Sequence, residues 1–426
     1  MSFWAPVLHF LRQTRILGRV TAFIERYDLP DLSFLVLFSA FPLFQIFEHS
    51  TLWLLPFCVF LLLWSGRALL WRREVELDFA DFLVLLILLL QLSTVLTGYG
   101  RAADALVAVL LTSVWFSARR FFLERGTNAL VFLSSLVLVA VSAIGVGEYL
   151  FGMAELRWID AVRFGNIGGR VTSLFSNPNI LAVYLLLYFP LSLWATFAPQ
   201  NKGRLRLFFA TTSVFCALCI LLTWSRGAWL GFLLECLLFL LFCNRKSRIA
   251  ALWLPPLAIL ALPILPVSIR ERLFSIGDLG ESSIRYRLQT WQGTLRMLEH
   301  HPVGIGVGEW AWRIIYPHYA VSGTARVMHA HNVFLQVAIE LGIVGLVIFL
   351  LLIAVAVRRA LKAKNTVALT AVAGVLVMGF FDHLWYSPTM LVPFWSLLAF
   401  CCQSGGEETK KTCLWIFCTK TDSIIH

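Results

Sequence analysis

The chain has 426 residues, of which 59% are hydrophobic and only 14% are charged, and its formal net charge at pH 7 is +11. Soluble proteins carry roughly a quarter charged residues, so this composition excludes a soluble fold and predicts a polytopic membrane protein. Helical bundles and closed barrels are the structures that span lipid, and the long continuous apolar runs favour an all-α bundle. Of the 35 basic residues, 23 fall in predicted cytoplasmic segments, which explains the positive charge without nucleic-acid binding.

The chain divides into five predicted regions in order. Residues 1–29 mix hydrophobic residues with four arginines, which predicts an amphipathic cytoplasmic segment at the membrane interface. A bundle of about nine spans over 30–267 precedes an extracytoplasmic loop domain at 268–331, and about three more spans over 332–402 precede a cytoplasmic tail at 403–426. The predicted spans are 30–48, 51–65, 79–97, 104–118, 129–151, 180–198, 207–223, 227–243, 249–267, 332–356, 366–382 and 388–402.

The distribution of charge predicts the orientation of these spans. Five basic clusters lie on the same side when the spans are counted alternately, which favours a cytoplasmic location for both termini. All seven lysines then fall in cytoplasmic segments, whereas twelve arginines lie outside. Because a guanidinium is a rigid fork suited to phosphate oxygens, an outer face with arginine but no lysine indicates a phosphate-bearing ligand.

Two outer arginine motifs are candidate binding sites. Arg226 lies in Trp224-Ser225-Arg226-Gly227-Ala228, where two apolar spans meet with almost no loop between them. Arg285 and Arg287 open a stretch, 284–299, whose apolar residues recur at three- to four-residue spacing and predict an amphipathic helix. A topology arginine and a solvated helix face are the alternative interpretations.

His329-Ala-His331-Asn332 stands at the outer mouth of a long apolar helix. The positive end of that helix disfavours imidazolium, and a neutral His331 could accept a proton from a hydroxyl. No metal is predicted, because residues two apart do not share a helix face and no clear carboxylate completes a site. Glu340, nine residues later, faces away from His331 and is a candidate for either function or helix packing.

Two further motifs predict local structure. Gly304-Ile-Gly306-Val-Gly308 lacks the βαβ context of a dinucleotide fingerprint, so we interpret it as a turn. Asn177-Pro178-Asn179 is typical of a helix start at the outer surface.

These residues together suggest a reaction. ATP is not at hand outside the cytoplasm, so a transferase there needs a pre-activated donor such as a lipid-linked diphosphate sugar. Arginines could stabilise the leaving diphosphate, and His331 could activate the hydroxyl of the acceptor. Neither a metal nor another cofactor is required.

At these residues the chain resembles the O-antigen ligase and O-antigen polymerase superfamily of bacterial membrane glycosyltransferases. The resemblance covers roughly 170–350 and rests on four matching motifs. These are Phe175-Ser-Asn-Pro-Asn179, Ser225-Arg226-Gly227-Ala228, Arg287-x3-Trp291 with His301-Pro302 and Gly304-x-Gly306-x-Gly308, and His331-Asn332 with Glu340-x-Gly342-x2-Gly345.

The resemblance implies a helical, GT-C-like glycosyltransferase in the bacterial inner membrane, with its active site facing the periplasm. Such an enzyme takes glycan from an undecaprenyl-diphosphate-linked donor and needs no metal. Carried onto this chain, Arg226 and Arg287 would hold the diphosphate and His331 would be catalytic, with Arg285, Asn332, His329 and Glu340 as further candidates.

The acceptor stays open. A ligase would use lipid A–core, a polymerase would use another lipid-linked glycan, and protein O-oligosaccharyltransferases look similar. A transporter of lipid-linked glycan and a non-catalytic assembly scaffold are the alternatives from other classes.

Overall fold

The computed structural model describes residues 29–41, 43, 77–157, 169–243, 267–275, 278, 282–321, 323–383 and 388–403, together with isolated positions between 248 and 263. This part of the chain is all-α, with one isolated antiparallel bridge between Glu155 and Arg170. The helices are α1 Leu29–Ala40, α2 Phe79–Ser93, α3 Ala102–Glu124, α4 Asn128–Leu150, α5 Pro178–Phe197, α6 Gly203–Leu222, α7 Arg226–Cys243, α8 Val267–Phe274, α9 Ser282–His300, α10 Glu309–Ile315, α11 Val333–Ala363, α12 Thr366–Gly379 and α13 Pro388–Cys401.

Seven helices are long and apolar enough to cross a membrane: α2 with its 3-10 extension to Thr97, α3, α4, α5, α6, α7 and α11. Three shorter apolar helices, α1, α12 and α13, fall at three more of the predicted spans. The prediction of a multi-pass helical membrane protein is therefore confirmed. The predicted span 51–65 lies outside the described residues, as does most of 249–267, so the total of twelve stays a prediction.

α5 forms the centre of the bundle. Nearly every side chain from Leu181 to Ala195 is buried, which is expected of a helix that is hydrophobic on all sides. α5 begins where the sequence predicts, since the Asn177 side chain accepts a hydrogen bond from the Asn179 amide and Pro178 occupies the first turn. The helices α4, α6, α7 and α12 pack around it.

α11 is broken inside the bundle at Gly342, whose φ of 76° and ψ of 177° are not helical. The loop after α9 fills the break. The Ile305 amide donates to the Ile339 carbonyl at 2.8 Å, and the Ile343 amide donates to the Pro302 carbonyl at 2.9 Å. A Cβ on Gly304 would lie 2.6 Å from the Glu340 carbonyl oxygen, so the predicted turn needs glycine for this close approach.

α9 confirms the helix predicted over 284–299, but its packed face differs from the predicted apolar face. Leu288 and Leu295 are 40% and 48% exposed. The buried positions are Thr290, Gly293, Thr294 and Met297, where Gly293 lets the Tyr316 ring approach. The face that packs inward is therefore the one where small side chains let the Tyr316 ring approach, and the leucines stay on the outer surface.

Candidate active site

Five separate stretches of the chain bring polar side chains to one end of the bundle. They are the loop before α5, the turn between α6 and α7, the α8–α9 region, the turn before α11 and the end of α12. The side chains that they contribute are Arg170, Arg226, Arg272, Arg287, His329, His331, Asp382 and His383.

Arg226 begins α7 and is buried. One of its Nη groups donates to the carbonyl and the hydroxyl oxygen of Ser275, at 3.0 and 2.8 Å, and the other donates to the Ser283 hydroxyl at 2.9 Å. An arginine that only sets the orientation of the spans would extend its side chain into the membrane–water interface. Arg226 instead links α7 to the end of α8 and the start of α9.

Arg170 is a second buried arginine, which the sequence did not single out. Its Nε donates to the Thr223 carbonyl at 2.7 Å, and an Nη donates to the Asn179 side chain at 2.8 Å. The adjoining backbone is held by Glu148, whose carboxylate accepts from the amides of Thr172 and Ser173 at 2.9 Å each. Glu148 therefore supports the loop that carries Arg170.

The arginines repel one another. Burial, and then the charges of Arg272 and Arg287, lower the pKa of Arg170 to about 9, while Asp382 opposes the shift and Arg226 adds to it. Arg170 still carries its charge at neutral pH. The charged groups that act on Arg170 include three other guanidinium groups and the Asp382 carboxylate, and this excess of positive charge favours a polyanionic ligand.

Arg287 presents a donor that the described protein does not satisfy. Its Nε atom is buried without a hydrogen-bond partner in the described residues, and so is the Nε1 atom of Trp291, one helical turn further. Buried N–H groups are nearly always paired in native proteins, so two orphaned donors on one helix face point to a missing acceptor.

His331 lies beside Asp382, with its Nδ1 atom 3.3 Å from Oδ1. Burial alone would raise the pKa of Asp382, but the hydrogen bond from His331 and the nearby cationic groups hold it well below its usual range. An ionised carboxylate only accepts hydrogen bonds, so in the neutral imidazole of His331 the proton lies on Nδ1 and Nε2 is left as an acceptor. The Tyr286 ring packs edge-on to the imidazole, with centroids 6.1 Å apart, so α9 also covers this histidine.

Two more imidazoles surround this pair. The His331 amide donates to Nδ1 of His329 at 3.2 Å, and the His383 amide donates to Oδ1 of Asp382 at 2.8 Å. Burial, and then repulsion from the protonated form of His331, lower the pKa of His329 to about 3, so its ring is neutral. Burial also holds the pKa of His383 well below its ordinary value.

A metal could in principle find three ligands here, since one donor atom each from His329, His331 and Asp382 lie within 4.8 Å of one another. The sequence argued against a metal because residues two apart do not share a helix face, but His329 and His331 both precede α11, so that argument does not apply. Asp382 supplies the carboxylate that the sequence argument lacked. The surrounding arginines make a cation costly to place, whereas an anion benefits from them. The donor set therefore suits proton transfer beside a bound anion better than metal ligation.

The other predicted candidates have defined places. Asn332 caps α11 by accepting from the Leu335 amide at 3.0 Å, and its amide nitrogen donates to the Phe380 carbonyl at 3.1 Å. Arg285 is exposed on α9. Glu340 does not reach His331 directly, in agreement with the sequence argument, but contacts Gln336.

Arg170, Arg272 and His383 were not singled out from the sequence, because they belong to no conspicuous motif. Asp382 was an intramembrane carboxylate that the sequence left open between function and helix packing. The absence of lysine from the predicted outer segments was the available signal for the arginines.

Comparison with protein families matches residues 211–350 to the family described as O-Antigen ligase. The matched segment runs from α6 into α11 and includes Arg226, Arg272, Arg287 and His331, while Arg170 and Asp382 lie outside it. No curated protein sequence matches the chain. Over residues 211–350 this multi-pass membrane protein is therefore similar to the O-antigen ligase family, which confirms the resemblance predicted from the motifs.

Proposed function

We propose that the chain is a membrane glycosyltransferase that moves glycan from an undecaprenyl-diphosphate-linked donor onto an acceptor hydroxyl. Members of the O-antigen ligase family transfer lipid-linked glycans. The single observation that carries the proposal is the placement of a His331–Asp382 pair beside four arginines, one of which, Arg287, has a buried donor without a partner in the described residues. A leaving diphosphate and an attacking hydroxyl need these two kinds of group side by side.

In this mechanism the acceptor oxygen attacks the anomeric carbon of the donor sugar. A new glycosidic bond forms as the bond from carbon to the diphosphate oxygen breaks, and its electron pair leaves with the lipid diphosphate. Nε2 of His331 takes the hydroxyl proton, and Asp382 stabilises the imidazolium that results. Arg287, Arg226, Arg170 and Arg272 offset the charge that develops on the diphosphate.

This division of roles needs no metal and no nucleotide sugar. Guanidinium groups supply the positive charge that a divalent cation supplies in many nucleotide-sugar enzymes. The four guanidinium groups match the two or three negative charges of a diphosphate better than they match the smaller charge of a single phosphate. A transporter is a poorer fit, because the functional candidates gather at one end of the bundle rather than along a path through it.

Among possible acceptors we favour lipid A–core, which makes the chain a ligase. An O-antigen or exopolysaccharide polymerase is the close alternative, because it would use the same diphosphate and hydroxyl chemistry. Deletion of the gene in its host separates the two readings. Loss of all O-antigen from core would indicate a ligase, and a single repeat unit left on core would indicate a polymerase.

The catalytic role is tested with His331→Ala in membranes that contain the native donor and acceptor. Loss of a positioned base lowers the rate by about a hundredfold to ten-thousandfold, so glycan transfer should fall by that factor. His318→Ala, at an exposed histidine of the same loop region, is the matched control. Near-normal transfer by a correctly inserted His331→Ala protein would end the proposal.

We also propose that the site faces the outside. The test is a cysteine placed at exposed Gly323 and treated with a membrane-impermeant maleimide on intact cells. Labelling before cell disruption is the expected result, and labelling only after disruption would reverse the orientation.

A further inference from the structure

A chain of buried hydrogen bonds leads from Glu340 to the turn that holds His331. Oε1 of Glu340 accepts from Nε2 of Gln336 at 2.9 Å, and Oε1 of Gln336 accepts from the Ala330 amide at 2.9 Å. All three residues are buried, with Ala330 fully so. The next residue, His331, adopts a left-handed backbone with φ of 49°.

That backbone conformation needs support. Residues other than glycine rarely adopt positive φ, and they stay there only when the surroundings hold them. The Ala330 amide is the last donor before the left-handed residue, and Gln336 gives it a partner inside a packed core. A buried amide without a partner is strongly disfavoured, so the bond restricts the turn.

Glu340 has contacts on its other side as well. The Gly308 amide donates to its carboxylate, and its backbone carbonyl accepts from the Gly306 amide at 3.2 Å. The loop 301–308 follows directly from α9, which carries Arg287. Glu340 thus joins the loop behind the arginine helix to the turn that precedes α11.

We infer that Glu340 and Gln336 are positioning residues, which hold the His331 turn so that Nδ1 meets Asp382 and Nε2 faces the acceptor. The inference rests on the proposed function, because it assigns these residues to the same base. A carboxylate suits position 340 because it accepts from two donors, the Gln336 amide group and the Gly308 amide. A glutamine there would turn a donor towards one of them.

The inference predicts that Gln336→Leu lowers kcat by about a hundredfold, since a displacement of roughly 1 Å in a catalytic group has an effect of that order. The KM for the lipid-linked donor should stay within about twofold of the wild-type value, because the arginines keep their places. Glu340→Gln is a milder change, and it should also lower kcat without raising KM.

The experiment measures initial rates with full-length protein in host membrane vesicles supplemented with donor extracted from the host. Gln91→Leu is the matched control for Gln336→Leu, because Gln91 is also a buried glutamine in an apolar helix, bonded to Thr112 at 3.0 Å. Glu235→Gln matches Glu340→Gln, because Glu235 is a fully buried carboxyl on α7. Both controls should retain wild-type kcat.

A double-mutant cycle separates positioning from general structural damage. If Gln336 acts through His331, Gln336→Leu should add less than about twofold to the loss already caused by His331→Ala. An added hundredfold loss in the double variant would contradict the inference. The inference would also be contradicted if Gln336→Leu and Glu340→Gln both kept the wild-type kcat while His331→Ala was inactive. That result would leave the proposed function intact. Full activity of His331→Ala would instead overturn the base itself, and the positioning role with it.

Discussion

His331 and Asp382 are 51 positions apart in the chain, yet Nδ1 of the first lies 3.3 Å from Oδ1 of the second. The contact joins the turn before α11 to the end of α12, and those two helices pack against each other. It selects one tautomer of the imidazole and leaves the opposite nitrogen to act as a base.

Asp382→Asn should lower kcat by about a hundredfold to ten-thousandfold, because an amide can donate to Nδ1 and hold the wrong tautomer. The KM for the donor should not rise, since the substitution removes a negative charge from beside the arginines. Steady-state rates in vesicles measure both quantities. Glu309→Gln, which neutralises an exposed carboxylate paired with Arg313, should leave both unchanged, and a kcat loss of equal size in that control would discredit the comparison.

Arg287→Ala should raise the KM for the lipid-linked donor by about tenfold to a hundredfold, the expected effect of losing a charged hydrogen bond to phosphate. Arg287→Lys should recover only part of the affinity, because an ammonium lacks the fork that matches phosphate oxygens. Arg296→Ala is the control, since Arg296 is an exposed arginine on the same helix. Equal effects at 287 and 296 would show that only the overall charge of α9 matters.

The lowered pKa of His329 should make stability depend on pH. Its pKa is about 3 in the folded chain against an ordinary value of 6.5. Between these values the unfolded chain binds a proton that the folded chain excludes, so stability falls as the pH falls from about 6.5 towards 3. His383 acts in the same direction, because its pKa is also lowered.

The measurement is the thermal unfolding midpoint of the purified protein in detergent at pH 7 and pH 5. The decrease at pH 5 should be smaller for His329→Gln than for the wild type. His318→Gln controls for the loss of a histidine as such. Identical decreases in wild type and His329→Gln would show that His329 titrates normally.

Gly342→Ala should destabilise the fold through the break in α11. An added Cβ would lie 2.6 Å from the Val303 carbonyl carbon, and φ is already 76°. Gly323 has a similar φ of 85° but open space around an added Cβ, so Gly323→Ala measures the backbone strain without the clash. We expect Gly342→Ala to lower the free energy of unfolding by about 1–3 kcal/mol more than Gly323→Ala. Equal thermal unfolding midpoints for the two purified variants would rule out the clash.

Prediction from sequence succeeded where the signal is local. The Asn177-Pro178 start of α5, the short turn before Arg226 and the helix over 284–299 each follow from neighbouring residues. The spacing of apolar residues in α9 did not tell which face packs inward, because Leu288 and Leu295 remain exposed while Gly293 lies against the Tyr316 ring. Periodicity identifies a helix, but its neighbours in the fold decide which face it buries.

By itself, the sequence determined that this is an all-α membrane protein, and it singled out Arg226, Arg287 and His331, because hydropathy and charge are properties of short stretches. The tertiary structure alone decided that Arg170 and Arg272 join the arginine cluster, that Asp382 orients His331 and that Glu340 reaches the same turn through Gln336. These contacts join segments that are distant along the chain, and a distance of that kind is set by how whole helices pack, which no local pattern records.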